Sequence, residues 1–168
     1  MAISMYQSSI PVFTRMLGNL AAILDKGAAH AEAKKFDAAV LVNSRLFPDM
    51  FPLSKQIQIA TDMAKGCAAR LAGMEPPKYD DSEATIADLT ARIAKTIAYL
   101  NTFKPQQIDG SEEKTITLQM RSGALTFAGM QYLLNFVLPN FYFHVTTAYN
   151  LLRHAGVEIG KMDFTGQP

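Results

Sequence analysis

The chain lacks most features that announce a chemistry. It has one cysteine, Cys67, so no internal disulfide can form, and a reducing, cytoplasmic setting is expected. No run of about 18 apolar residues is present, so no membrane-spanning helix is expected. The first residues, MAISMYQSSIPVF, show no basic segment ahead of an apolar run, which argues against secretion. With 16 basic and 15 acidic residues the net charge is +1, and the electrostatic basis for binding nucleic acid is missing. Glycine-rich phosphate loops, cysteine pairs at metal spacing, a nucleophile elbow and a His-Glu-x-x-His string are all absent. So are internal repeats and low-complexity tracts.

What remains is hydrophobic patterning. At 168 residues, 49% hydrophobic, the chain has the size of one domain over 1–168, able to bury roughly two-thirds of its unfolded surface. Phe13, Met16, Leu17, Leu20, Ile23 and Leu24 recur at three and four and predict a first helix stopping at Gly27. Residues 30–49 read as a long connection holding one or two helical turns. Pro52 suits the first position of a second helix, with Leu53, Ile57, Ala60, Ala64, Cys67 and Leu71 inward and Gly73 as its end. Cys67 on that face reads as an inert small hydrophobe. Lys55, Gln58, Asp62 and Lys65 read as its solvated side, while Gln56 lies near the inward edge and can meet a polar group of helix four or satisfy a backbone group.

After the loop MEPPKYDD, the Asp80/Glu83 pair has capping-box spacing, ahead of a third helix lined by Ile86, Leu89, Ile93, Ile97, Leu100 and Phe103. KTITLQ and RSGALTF alternate as two short strands around Ser122-Gly123. A fourth helix is expected from near Thr126 to Arg153 or His154, stopped at Gly156. Stepping about 100° per residue, Met130, Leu134, Val137, Phe141, Val145, Ala148 and Leu152 form its core face. Phe136, Phe143 and Leu151, with Asn140 and Thr147, form a second. That second face is buried either in a homodimer through helix four or under the hairpin or the tail EIGKMDFTGQP.

The stretch LPNFYFHV, residues 138–145, holds the two chemical oddities. Pro139 removes a donor, leaves the carbonyl of Asn135 unserved and predicts a kink, which either opens a pocket or only bends the helix. His144 follows Asn140 by one turn on the same side; it is either half of a site facing another helix or a core histidine bonded to a neighbouring acceptor. His30 lies near the first connection, and His154 stands where its charge suits a helix C-terminus.

The strings RLFPDMFPLSKQIQIATDMAKGCAARLAG, PNFYFHVTTAYNLLRHAGVEIGK and MDFTG resemble an uncharacterised bacterial family described as a domain of unknown function. That family is similar to the DinB and YfiT-like group of metal-dependent proteins. The resemblance implies an all-α, DinB/YfiT-like four-helix bundle with a long connection after helix one and a small β-hairpin before helix four, and a homodimer. In the wider group three histidines hold a divalent metal, one from helix two and two from helix four, and some members are thiol-dependent S-transferases or hydrolases. His144, followed by Leu152, Arg153, Gly156 and Val157, matches a ligand position of that pattern. One turn earlier the pattern has a histidine where this chain has Asn140, and helix two offers only Gln56 or Gln58. Neutral amides bind zinc or nickel poorly, so no cofactor is firmly implied and any divalent-metal site on His144 would be weak. Two functions follow: a small-molecule-binding protein or enzyme with a pocket lined by His144, Asn140, Tyr142 and Gln56, or a non-catalytic dimeric bundle in which His144 is structural.

Overall fold

The structure, a computed structural model, describes residues 3–120 and 123–167. In chain order its elements are α1 (Ile10–Lys34), α2 (Ala39–Val42), α3 (Leu53–Leu71), α4 (Ile86–Leu100), α5 (Pro105–Ile108), β1 (Thr115–Met120), β2 (Gly123–Ala128), α6 (Gly129–Gln131), a π-helical turn (Tyr132–Val137), α7 (Leu138–His154) and α8 (Lys161–Thr165). The protein is mostly helical with one small antiparallel sheet. Helix α3 packs on α7 and α4, and α1 packs on α4 and α7. These contacts bury the stripes that the periodicity marks, among them Phe13, Leu17, Ile57, Leu89, Ile93, Phe141 and Leu152. At the centre the Phe13 and Phe141 rings meet edge to face at 4.9 Å.

Helix boundaries depart from expectation for local reasons. Helix α1 passes through Gly27 and ends at Lys35, whose left-handed φ of 57° closes the turn as the Phe36 N–H donates back to Ala31. Gly27 instead lets two helices approach: a β-carbon there would lie 3.3 Å from Leu152 Cδ2 on α7. Pro52 stands just before α3 rather than within it. Gly73, at φ +78°, supplies the left-handed turn after α3, and Met74 N–H donates 2.8 Å to the Ala69 carbonyl. Asp80 and Glu83 do not cap α4. Thr85 does, accepting from Asp88 N–H at 3.1 Å while Asp88 Oδ2 accepts from Thr85 N–H at 2.9 Å.

The hairpin runs from Thr115 opposite Ala128 to Met120 opposite Gly123. Of the expected Ser122-Gly123 turn, Ser122 lies outside the described residues. Thr126 belongs to β2, its hydroxyl 3.2 Å from that of Thr117, so helix begins only at Gly129. There the Ser111 carbonyl occupies the place of a side chain, and Met130 N–H donates 2.9 Å to Glu112.

Pro139 is accommodated by a π-helical turn, not merely a bend. Leu138 N–H donates to the Leu133 carbonyl, five residues back, in the turn just before the proline. Widening that turn relieves the clash a proline ring makes with the carbonyl four residues before it. It also shifts the helical phase, so Tyr132 and Leu133 are buried while Met130 and Leu134, expected in the core, are 45% and 46% exposed. The second face is largely covered within the chain. Phe136 meets Phe127 of β2 at 5.3 Å, and Leu151 is buried, but Phe143 is 57% exposed. The tail lies on α1 and α7: Asn19 Nδ2 donates to the Phe164 carbonyl, Arg15 to Thr165 and Gln167, and Tyr149 meets Phe164 edge to face.

Candidate functional site

Helices α3 and α7 run side by side, and their packing brings Gln56 from the first turn of α3 against His144 near the middle of α7. Gln56 is 1% exposed and His144 8%. Gln56 Oε1 lies 2.7 Å from His144 Nδ1, and Gln56 Nε2 donates 3.0 Å to the Phe51 carbonyl. The two contacts orient the amide together: its nitrogen end is used on a carbonyl, so its oxygen faces the ring. An amide oxygen only accepts, so Nδ1 carries the proton and Nε2 holds a lone pair. Among the described residues nothing bonds Nε2, so its lone pair is unspent. Burial lowers the pKa of His144, which keeps the ring neutral. The Phe143 ring stands edge to face with it at 5.2 Å.

Neither Asn140 nor Tyr142 makes a side-chain hydrogen bond to this pair among the described residues. Asn140 turns back on its own helix, Nδ2 donating 2.6 Å to the Phe136 carbonyl. That bond serves a backbone oxygen in the disturbed turn before Pro139, a local duty that competes with any ligand. Tyr142 is 38% exposed with its ring edge on Phe141 at 5.7 Å, partial desolvation raising its phenol pKa, and it makes no side-chain hydrogen bond among the described residues. His30 lies against Phe36, ring centroids 5.9 Å apart, far along the chain from Gln56 and His144. Cys67 is fully buried, and desolvation pushes its thiol up against a smaller downward pull from Arg70; it is not a nucleophile at neutral pH.

The three-ligand metal centre of the resembled group fits poorly. Among the described residues no group of three or more His, Cys, Asp or Glu side chains converges. One imidazole is available, and the amide beside it is occupied by the imidazole itself. A neutral amide tied up in this way is a poor partner for a transition metal.

The sequence reading misplaced one polar cluster. Gln58 and Lys65, expected in solvent, are buried against α4, where Arg92 lies 4% exposed inside the apolar stripe. Its guanidinium donates to Thr61 Oγ1 (2.8 Å), Asp62 Oδ1 (2.8 Å), Asp81 Oδ1 (3.1 Å) and Glu83 Oε1 (2.9 Å). Gln58 Nε2 donates 2.8 Å to the other oxygen of Glu83. Burial works against the Arg92 charge, but Glu83, Asp62 and Asp81 outweigh it and raise its pKa. The missed signal was the arginine at the fourth position after Asp88, between Leu89 and Ile93, facing the polar edge of α3. The cluster is a clasp between helices rather than a reaction centre, every donor group of the guanidinium being engaged.

The family model for a domain of unknown function, DUF1993, matches residues 5–165. The chain belongs to the DUF1993 family. This DUF1993 protein also resembles the crystal structure of a DinB family member protein from Shewanella denitrificans, at 44% identity over 97% of this chain and 92% of that one, with a TM-score of 0.89. Curated proteins yield no match. The DUF1993 chain thus carries a DinB-like fold, and among its described residues no helix is long and apolar enough to cross a membrane.

Proposed function

We propose that this chain is a single-domain, four-helix-bundle protein of the DinB-like kind that binds a small molecule through His144 without a tightly held metal. The observation carrying the reading is the Gln56–His144 hydrogen bond, which holds a neutral ring with its proton on Nδ1 and the Nε2 lone pair unspent among the described residues. Such a nitrogen accepts a hydrogen bond from a ligand hydroxyl or amine, or removes a proton from it as a general base. Gln56 sets the tautomer, as a carbonyl or carboxylate does behind many working imidazoles. Asn140 and Tyr142 stand outside this minimal pair. A screen of small hydroxyl- and amine-bearing fragments against 15N-labelled protein tests it. Saturable shifts of the His144 ring and the Gln56 amide, lost in His144→Ala, support the reading. A screen in which no fragment reaches the ring ends it.

A second reading, a non-catalytic homodimer through helix four of the sequence, which spans α6, the π-helical turn and α7, is favoured by Phe143, Met130 and Leu134, each at least 45% exposed. Light scattering separates the two: a dimer dispersed by Phe143→Glu supports it, and a monomer at all concentrations ends it.

A further inference from the structure

A cleft of about 560 Å³ lies at the other end of α3 from Gln56, between α3, β1 and the π-helical turn. That volume suits a small organic ligand. Its apolar wall is aromatic: Tyr132 and Phe136, one turn apart, stack at 6.0 Å with an 18° angle between planes, backed by Phe127. Facing them are two cations, Arg70 from the last turn of α3 and Lys114 from just before β1. Among the described residues neither cation has a carboxylate within ion-pair distance. Arg70 Nη1 donates 3.0 Å to the Tyr132 hydroxyl, and Lys114 Nζ donates 3.1 Å to the Leu71 carbonyl. Each contact holds its cation in place and leaves further N–H groups unspent.

Room for both cations is made by missing side chains. A β-carbon on Gly66, inside α3, would stand 2.5 Å from Arg70 Nη1, and one on Gly73 would stand 2.6 Å from Lys114 Nζ. Glycine inside a helix is unfavourable, and Gly66 is the residue that lets the guanidinium lie against the helix. Among the described residues of the cleft wall the only acidic side chain is Glu75. Among the described residues two cations against one carboxylate leave a single positive charge to be met, which suits a monoanion over a phosphate dianion.

We propose that this cleft is a binding site for a small monocarboxylate with a flat apolar body, its carboxylate held between Arg70 and Lys114 and its body against Phe136, which the buried Tyr132 ring supports from behind. An arginine fork matches a carboxylate with two parallel bonds, and the half-buried Phe136 ring, held by its stacking on Tyr132, gives the body a planar surface. The site lies apart from His144 and stands or falls independently of it.

Benzoate, benzamide and inorganic phosphate serve as probes, read by calorimetry and by the Arg70 Nε–H signal in 15N spectra. Saturable benzoate binding is expected, with no detectable binding of benzamide. Lys114→Gln, at an exposed position, is expected to weaken benzoate by about tenfold, as loss of one charge-assisted contact does. Arg70→Gln weakens it at least as much, Gly66→Ala weakens it with every charge retained, and His144→Ala leaves it unchanged. The proposal is overturned if millimolar benzoate gives no saturable shift, if benzamide binds as well, if Lys114→Gln and Gly66→Ala both bind like wild type, or if phosphate binds more tightly than benzoate.

Discussion

Gln56 and His144, 88 positions apart in the chain, meet through a 2.7 Å hydrogen bond that decides which ring nitrogen carries the proton. The bond joins the start of α3 to the middle of α7, so the same contact that orients the imidazole also links two core helices. Nitrogen chemical shifts check the tautomer directly. A protonated Nδ1 and a bare Nε2 are expected at pH 7.5, and the opposite tautomer would remove the Gln56 contact from consideration.

The pair is also expected to show coupling. His144→Phe leaves the Gln56 oxygen buried without a donor and costs about 2 kcal/mol, the usual penalty for an orphaned buried acceptor. Gln56→Leu alone costs a similar amount, and the double variant less than the sum by about 1 kcal/mol. Denaturant titration of the four proteins measures this. If His144→Phe alone stabilises the fold, the imidazole is retained against stability and a functional role gains weight.

Stability should fall as the medium turns mildly acidic. Burial lowers the pKa of His144 from the ordinary 6.5, so the unfolded chain takes up the proton first. The contribution is complete above about pH 6.5 and is lost as pH falls below it toward the folded pKa, with a slope of at most about 1.4 kcal/mol per pH unit. Urea melts at pH 7 and pH 5 should show a drop in wild type that is smaller in His144→Asn.

Arg92 is expected to be the costliest surface-adjacent residue to change. Arg92→Met leaves Asp62, Asp81 and Glu83 facing one another without their shared cation, at a cost of about 3 kcal/mol. Arg92→Lys recovers only part of this, because one ammonium cannot serve four acceptors spread around a planar fork. Thermal unfolding of both variants gives the ordering.

Chelation should leave the fold untouched. With one imidazole and no convergent acidic or thiol groups among the described residues, EDTA is expected to leave the melting temperature unchanged. Added zinc should shift wild type and His144→Ala alike. A chelator-sensitive wild type, with the sensitivity lost in His144→Ala, would restore the metal reading.

Much of the fold was legible in the residues. The apolar stripes of α1, α3 and α4, the strands around 115–128 and the glycine stops at Gly73 and Gly156 follow from local periodicity and backbone freedom. The phase of the last helix was not legible before Pro139, since the π-helical turn adds a residue to one turn and moves Met130 and Leu134 out of the core. The Gln56 position and the helix its partner comes from could be singled out from its place at the edge of a stripe, but not the hydrogen bond that orients both groups. The role of Arg92 was hidden because a polar row on a helix looks the same whether it faces water or a buried guanidinium.

The order of amino acids by itself determined the helical class, the small hairpin and the singular place of His144, because those depend on spacing along one chain. Tertiary structure alone decided that Gln56 meets His144 while Asn140 serves the Phe136 carbonyl, and that Arg70 and Lys114 share a cleft with an aromatic wall. Those pairings depend on how α3, α7 and the hairpin are laid against one another, and no local periodicity encodes which side chain across a helix interface will stand opposite a given amide or cation.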